Sequence, residues 1–186
     1  MNKPETYAEW VNCFEQFKAG TKDEETILLM EQGQIEWTKG VAERLTQQLY
    51  ETIDHRLRRS SDQLQKELST CNGNETELVK AILSARKRLA VLKRVAHLSA
   101  FPERVRETMW NLLHEYAKST QQSLEDSAVT DRTGRIRSLI RNNPITQFDQ
   151  IENVFGITPH EASNPEATGN PQRLEQNARR RRIILP

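Results

Sequence analysis

His114-Glu-Tyr-Ala-Lys118 is the nearest approach in this chain to a catalytic metal motif. A zinc-protease helix needs His at i and i+4, so that both imidazoles face one ion. Lys118 stands at the second of these positions, and no zinc site is expected. Glu51 and His55 share a helix face at i, i+4 spacing, which suits a surface pair. The carboxylate pairs Glu24-Glu25 and Glu125-Asp126 adjoin expected helix starts or connectors, where capping and solvation explain them. Gly33 and Gly40 lack the spacing and the Gly-Lys-Ser/Thr ending of a phosphate-binding loop. Cys13 and Cys71, the only cysteines, are too few for a disulfide scaffold and read as reduced, buried thiols. Trp10, Trp37 and Trp110 read as core or interface anchors. The residue chemistry therefore predicts a non-enzymatic protein with no catalytic residue, no metal site and no cofactor.

The elements that must carry these residues are helices. Leu, Ile, Val and Phe make up 42 of 186 residues, a thin apolar supply that disfavours a large enzyme core. Charged residues reach 28% yet nearly cancel at +1, so patterned amphipathic helices fit better than disorder. Asn2, Pro4 and Glu5 predict a first helix start, and Tyr7, Trp10, Val11, Phe14 and Phe17 supply its apolar face. Lys18-Ala-Gly20 ends that helix, and Thr21-Lys-Asp-Glu24 has the pattern of a capping box opening the next. Val41, Leu45, Leu49, Ile53, Leu57, Leu64 and Leu68 continue an apolar stripe to about Cys71, with a break expected near Gly33 or Gly40.

Cys71-Asn-Gly-Asn74 is a turn, and Asn74 with Glu77 opens a helix lined by Leu78, Ile82, Ala85, Leu89, Leu92 and Ala96. Two amphipathic helices joined by so short a turn predict an antiparallel hairpin, with His97 at its interface. Pro102 begins another helix, ending near Ser127. Arg135 to Arg141 form a short basic helix that Asn142-Asn-Pro144 stops. Five of the seven prolines fall in the last 43 residues. The expected fold is thus all-α, an antiparallel helical bundle built on a long hairpin over 1–143. A small helical appendage at 144–162 and a flexible, Pro-rich basic tail at 163–186 follow it.

Thr146-Gln-Phe-Asp-Gln-Ile-Glu-Asn-Val-Phe-Gly-Ile-Thr-Pro-His-Glu-Ala162 resembles the first two helices of a helix-turn-helix unit. In that resemblance Gln147 to Phe155 form a helix capped by Thr146 and Asp149, Gly156 makes the turn and Ile157 is its buried apolar residue. It implies a second helix that reads the major groove. His160 and Glu161 depart from the usual polar or basic start of that helix, and Pro165 shortens it.

Charge is the most informative signal, because the near-neutral total conceals segregation. Residues 80–106 carry eight cations against Glu103, a net +7, while 1–40 and 107–131 each sum to −4. Residues 132–141 and 173–182 each sum to +4. Basic clusters on helices neutralise phosphates and release counterions, a sequence-independent attraction. The candidate nucleic-acid-binding residues are therefore Arg86, Lys87, Arg88, Lys93, Arg94, Arg135, Arg137, Arg141, Arg179, Arg180, Arg181 and Arg182. Pairing of the cations within residues 80–106 with the acidic flanks is the competing reading. Two function classes follow: a nucleic-acid-associated helical protein, such as a transcriptional or mobile-element accessory factor, or a protein-protein interaction or coiled-coil assembly module. The partners are accordingly nucleic acid, or another protein or a second copy bound through helix faces. The N-terminus lacks an apolar leader segment and no window suits a bilayer, so no membrane partner and a cytoplasmic location are expected.

Overall fold

A computed structural model describes residues 3–71, 73–128 and 133–150. Among the described residues there are six α-helices and no strand: α1 (Tyr7–Ala19), α2 (Asp23–Glu31), α3 (Lys39–Thr70), α4 (Glu75–Ala96), α5 (Glu103–Ser127) and α6 (Arg135–Asn142). A 3-10 helix, Ile145–Gln150, follows. The chain is all-α as its composition predicts, and no helix among these is long and apolar enough to cross a membrane.

Helix α1 begins at Tyr7, beyond the expected cap at Asn2. Thr6 caps it, with its hydroxyl accepting from the Glu9 N–H and Glu9 Oε2 accepting from the Thr6 N–H at 2.8 Å. Those amide donors, from Glu5 and then Thr6, hold the Glu9 carboxyl below its ordinary value. The earlier start fails because residues before Thr6 serve another partner: the buried Pro4 gives its carbonyl to the Gln34 N–H at 3.0 Å. At the other end Gly20 adopts φ 71°, where a residue with a Cβ is strained, and its N–H reaches the Gln16 and Phe17 carbonyls.

The capping box expected at Thr21 does not form. Lys22 occupies the cap position of α2 without a side-chain bond, and the Glu24 carboxylate that would close the box turns instead to Arg94 of α4. Three acidic residues in the first turn still suit the positive end of the helix dipole. The break in the long stripe falls at 32–38, beside Gly33, whereas Gly40 lies within the first turn of α3. Gly33 is required by space. A Cβ there would meet the Trp10 ring at 2.5 Å and the Pro4 ring at 2.8 Å. The segment crosses the aromatic core, where Trp10 Nε1 donates to the Gln34 carbonyl at 3.0 Å and Trp37 Nε1 to the Ala100 carbonyl at 2.9 Å.

Trp10, Phe14, Phe17 and Phe101 are all buried, with Trp10 edge-on to Phe101 at 5.5 Å. Leu45, Leu49, Ile53, Leu57 and Leu64 of α3 form the buried stripe of a 32-residue helix, about 48 Å long at 1.5 Å per residue. It packs on α4, whose Leu78, Ile82, Ala85, Leu89, Leu92 and Ala96 are buried as their spacing predicts. Asn74 caps α4 by accepting from Thr76 and Glu77, Pro102 precedes α5, and α5 ends at Ser127. Cys13 and Cys71 are buried free thiols. Burial first, then Glu9 for one and Glu77 with Glu67 for the other, pushes both thiols up and leaves them poor nucleophiles.

Ile53 is fully buried at the middle of the α3 stripe. Ile53→Asp places an unpaired charge there and should destabilise the fold by about 3 kcal/mol or more. Chemical denaturation measures this directly, and an unchanged midpoint would contradict the burial of that stripe.

Candidate functional site

The cations of α4 are drawn into the fold to different degrees. Arg88 lies against α3, donating from Nη1 and Nη2 to the two oxygens of Glu67 at 2.9 and 3.1 Å. Its Nε reaches the Ser60 hydroxyl at 3.2 Å and its Nη1 the Ser84 hydroxyl at 2.8 Å. Burial alone would raise the Glu67 carboxyl. Hydrogen bonds from Arg88 and Gln63, the charge of Arg88 and the Ser84 hydroxyl outweigh it and hold the group low. Arg94, in the last turn of α4, forks onto both oxygens of Glu24 at 2.7 and 2.8 Å and onto Glu31 at 2.9 Å. It therefore ties α4 to both ends of α2.

Arg86 is buried at 8% exposure and donates from Nη2 to the Gln147 carbonyl at 3.1 Å. Desolvation pushes its pKa down and the charge of Asp149 opposes that, although a guanidinium stays protonated throughout. Lys87 is exposed and Lys93 half-buried. On α6, Arg135 pairs with Glu75 at 3.1 Å and Arg141 with Glu125 at 3.3 Å, both arginines keeping over half their side-chain surface in solvent. The charge of half-buried Arg137 also acts on Glu125, whose carboxyl is held low chiefly by the Gln121 amide and Arg141. Arg179, Arg180, Arg181 and Arg182 lie outside the described residues, as do the residues of the helix-turn-helix resemblance beyond Gln150.

His97 caps the end of α4 and faces α5, its ring 5.1 Å from Trp110, so its neighbour is not the α3–α4 interface. Burial, then Lys93 and Arg106, pushes its pKa down. Trp110 also touches His114 at 4.1 Å and Phe148 of the 3-10 helix at 5.6 Å. That aromatic contact and the Arg86–Gln147 bond seat the 3-10 helix on α4 and α5, with Ile145 and Phe148 buried. The 3-10 helix starts at Ile145, ahead of the expected Gln147. Among the described residues no group of three or more His, Cys, Asp or Glu side chains is placed to hold a metal ion.

A cationic constellation arises where charge summation gives no warning. Arg56 of α3 donates from Nη1 to the Phe17 carbonyl at 2.8 Å, pairs with Asp23, and stacks over the Phe17 ring at 4.7 Å. Arg59 donates to the Ala19 carbonyl at 2.8 Å. Together they cover the negative end of the α1 dipole. With Arg88, Ser60, Gln63 and Gly20 they line a cavity of about 240 Å³. The sequence signal is the spacing Arg56, Arg59, Ser60, Gln63 on one helix face; the interleaved Asp54, Asp62 and Glu67 hide it from any charge window.

Comparison with protein-family models, with curated proteins and with solved structures found no match to this chain.

The depressed Glu67 carboxyl has a defined pH consequence. A lowered folded-state pKa contributes stability that is present above the ordinary carboxylate value near about 4 and is lost as pH falls through the lowered value. Glu67→Gln should therefore flatten part of the acid-side loss of stability, read as denaturation midpoints across pH. Superimposable wild-type and variant pH profiles would contradict the coupling.

Proposed function

We propose that this chain is a non-enzymatic helical assembly module that joins a second copy of itself or a helix of another protein. The observation that carries this reading is the inward engagement of Arg86, Arg88 and Arg94. Within the basic centre of the sequence, Arg88 meets Glu67 of α3 and Arg94 meets Glu24 and Glu31 of α2, so part of its excess charge is taken up by internal pairing. In this reading α3 and α4 form an antiparallel hairpin at the heart of a helical bundle. The long α3, with exposed side chains along one side of its buried stripe, supplies the face for a partner helix.

A nucleic-acid-associated role is the second reading, favoured by a specific observation on α6. The ion pairs of Arg135 and Arg141 are solvent-exposed, hence weak and exchangeable for phosphate. With Arg137 and Arg179 to Arg182 they would form a set of cations that reads backbone rather than bases. Lys87 and Lys93 would add to it from α4.

The two readings part on measurements of the full chain. The assembly reading expects a mass above the monomer by light scattering, or capture of a partner helix, and no binding of duplex or single-stranded probes at physiological salt. Salt-dependent probe binding overturns it in favour of the second reading. In that case replacing Arg179 to Arg182 by Gln should flatten the slope of log K against log salt by about 0.9 for each phosphate no longer neutralised.

A further inference from the structure

We propose that the cavity between the end of α1 and the facing stripe of α3 and α4 binds a tetrahedral oxyanion, either inorganic phosphate or the phosphate of a small phosphomonoester. Three guanidinium groups, those of Arg56, Arg59 and Arg88, line it together with the Ser60 hydroxyl and the Gln63 amide. Asp23 neutralises Arg56 and Glu67 neutralises Arg88. Among the described residues Arg59 has no carboxylate partner, and the Ala19 carbonyl takes only one of the five N–H donors a guanidinium offers. The site therefore holds one cation more than its anions.

Backbone geometry brings two of these charges together. A Cβ at Gly20 would collide with Arg56 Nη1 and stand 3.2 Å from Arg59 Nη1, so the glycine lets both guanidinium groups close on the end of α1. Asp23 compensates Arg56, so the charge of Arg59 is the one left over; the end of the α1 dipole offsets it in part, and an entering anion would pair with it. Planar guanidinium groups match phosphate oxygens bidentately, which makes a phosphate group a better occupant than a halide. Size limits the rest of the ligand. At about 240 Å³ the cavity lies below the roughly 300 to 1,000 Å³ of sites that enclose larger small molecules, so it holds a phosphate group and little more of its ligand. This site does not use the α6 arginines.

The test uses the full chain at constant ionic strength, with chloride replaced stepwise by inorganic phosphate or by glycerol phosphate, followed by calorimetry and by the thermal midpoint. Saturable binding by either ligand, with a higher midpoint than in chloride, is the expected result. A tighter constant for glycerol phosphate would identify a monoester as the occupant, and equal constants the free oxyanion. Arg59→Gln should weaken binding about tenfold, the effect of one charged hydrogen-bonding partner, while Arg59→Lys should retain most of it. Arg59 is exposed, so neither substitution should prevent folding. Absence of saturable binding, or equal binding in wild type and Arg59→Gln, would overturn the proposal. Displacement of bound phosphate by an oligonucleotide at lower concentration than by glycerol phosphate would also overturn it, assigning the cavity to a nucleic-acid backbone.

Discussion

The described structure depends on the crossing of residues 32–38 over the Trp10 ring. Helix α1 carries an apolar face too large to leave in water; it packs on α3 and α2, and the chain between those two helices closes over Trp10. Gly33 permits that approach, the Gln34 carbonyl satisfies the Trp10 indole, and the Gln34 N–H binds back to Pro4. Trp37 then fastens the same segment to Ala100, just ahead of α5, while Phe101 packs against both indoles. One extended segment thus links α1, the α2–α3 junction and the α4–α5 junction, and it fixes the position of α1 against which Arg56 and Arg59 close.

Electrostatics does the second layer of positioning. Arg94 joins α2 to α4, Arg88 joins α4 to α3, and Arg56 joins α3 to α2 through Asp23. Each of these arginines serves two or more acceptors, a geometry lysine cannot reproduce with a single ammonium group. Arg86 differs, because a carbonyl is its hydrogen-bond partner and its Nε has none among the described residues. Its burial is tolerated beside the charge of Asp149 and couples α4 to the 3-10 helix.

Much of this is legible in the residues, and the rest is hidden for physical reasons. Asn74, Gly20 and Pro102 mark helix ends through local backbone chemistry, which needs no knowledge of the tertiary fold. The start of α1 is ambiguous in sequence because two capping patterns, Asn2 with Glu5 and Thr6 with Glu9, overlap, and only the bond from Gln34 to Pro4 separates them. Thr21 loses its box because the Glu24 carboxylate is taken by a tertiary pair with Arg94. The segregation of charge along the sequence is real, but a running sum records no partners. It does not say that Glu24 and Glu31 meet Arg94, nor that Arg56 and Arg59 converge on a helix end.

Gly33→Ala tests the central constraint by the sign of its effect. Where a backbone accepts alanine without a clash, replacing glycine stabilises a protein by about 0.4 to 1 kcal/mol through the unfolded chain. Here the new methyl group meets the Trp10 ring at 2.5 Å, so overpacking should reverse the sign and destabilise the fold by about 1 to 3 kcal/mol, with a changed near-ultraviolet tryptophan signal. A variant more stable than the wild type, with that signal unaltered, would contradict the close passage of residues 32–38 over Trp10.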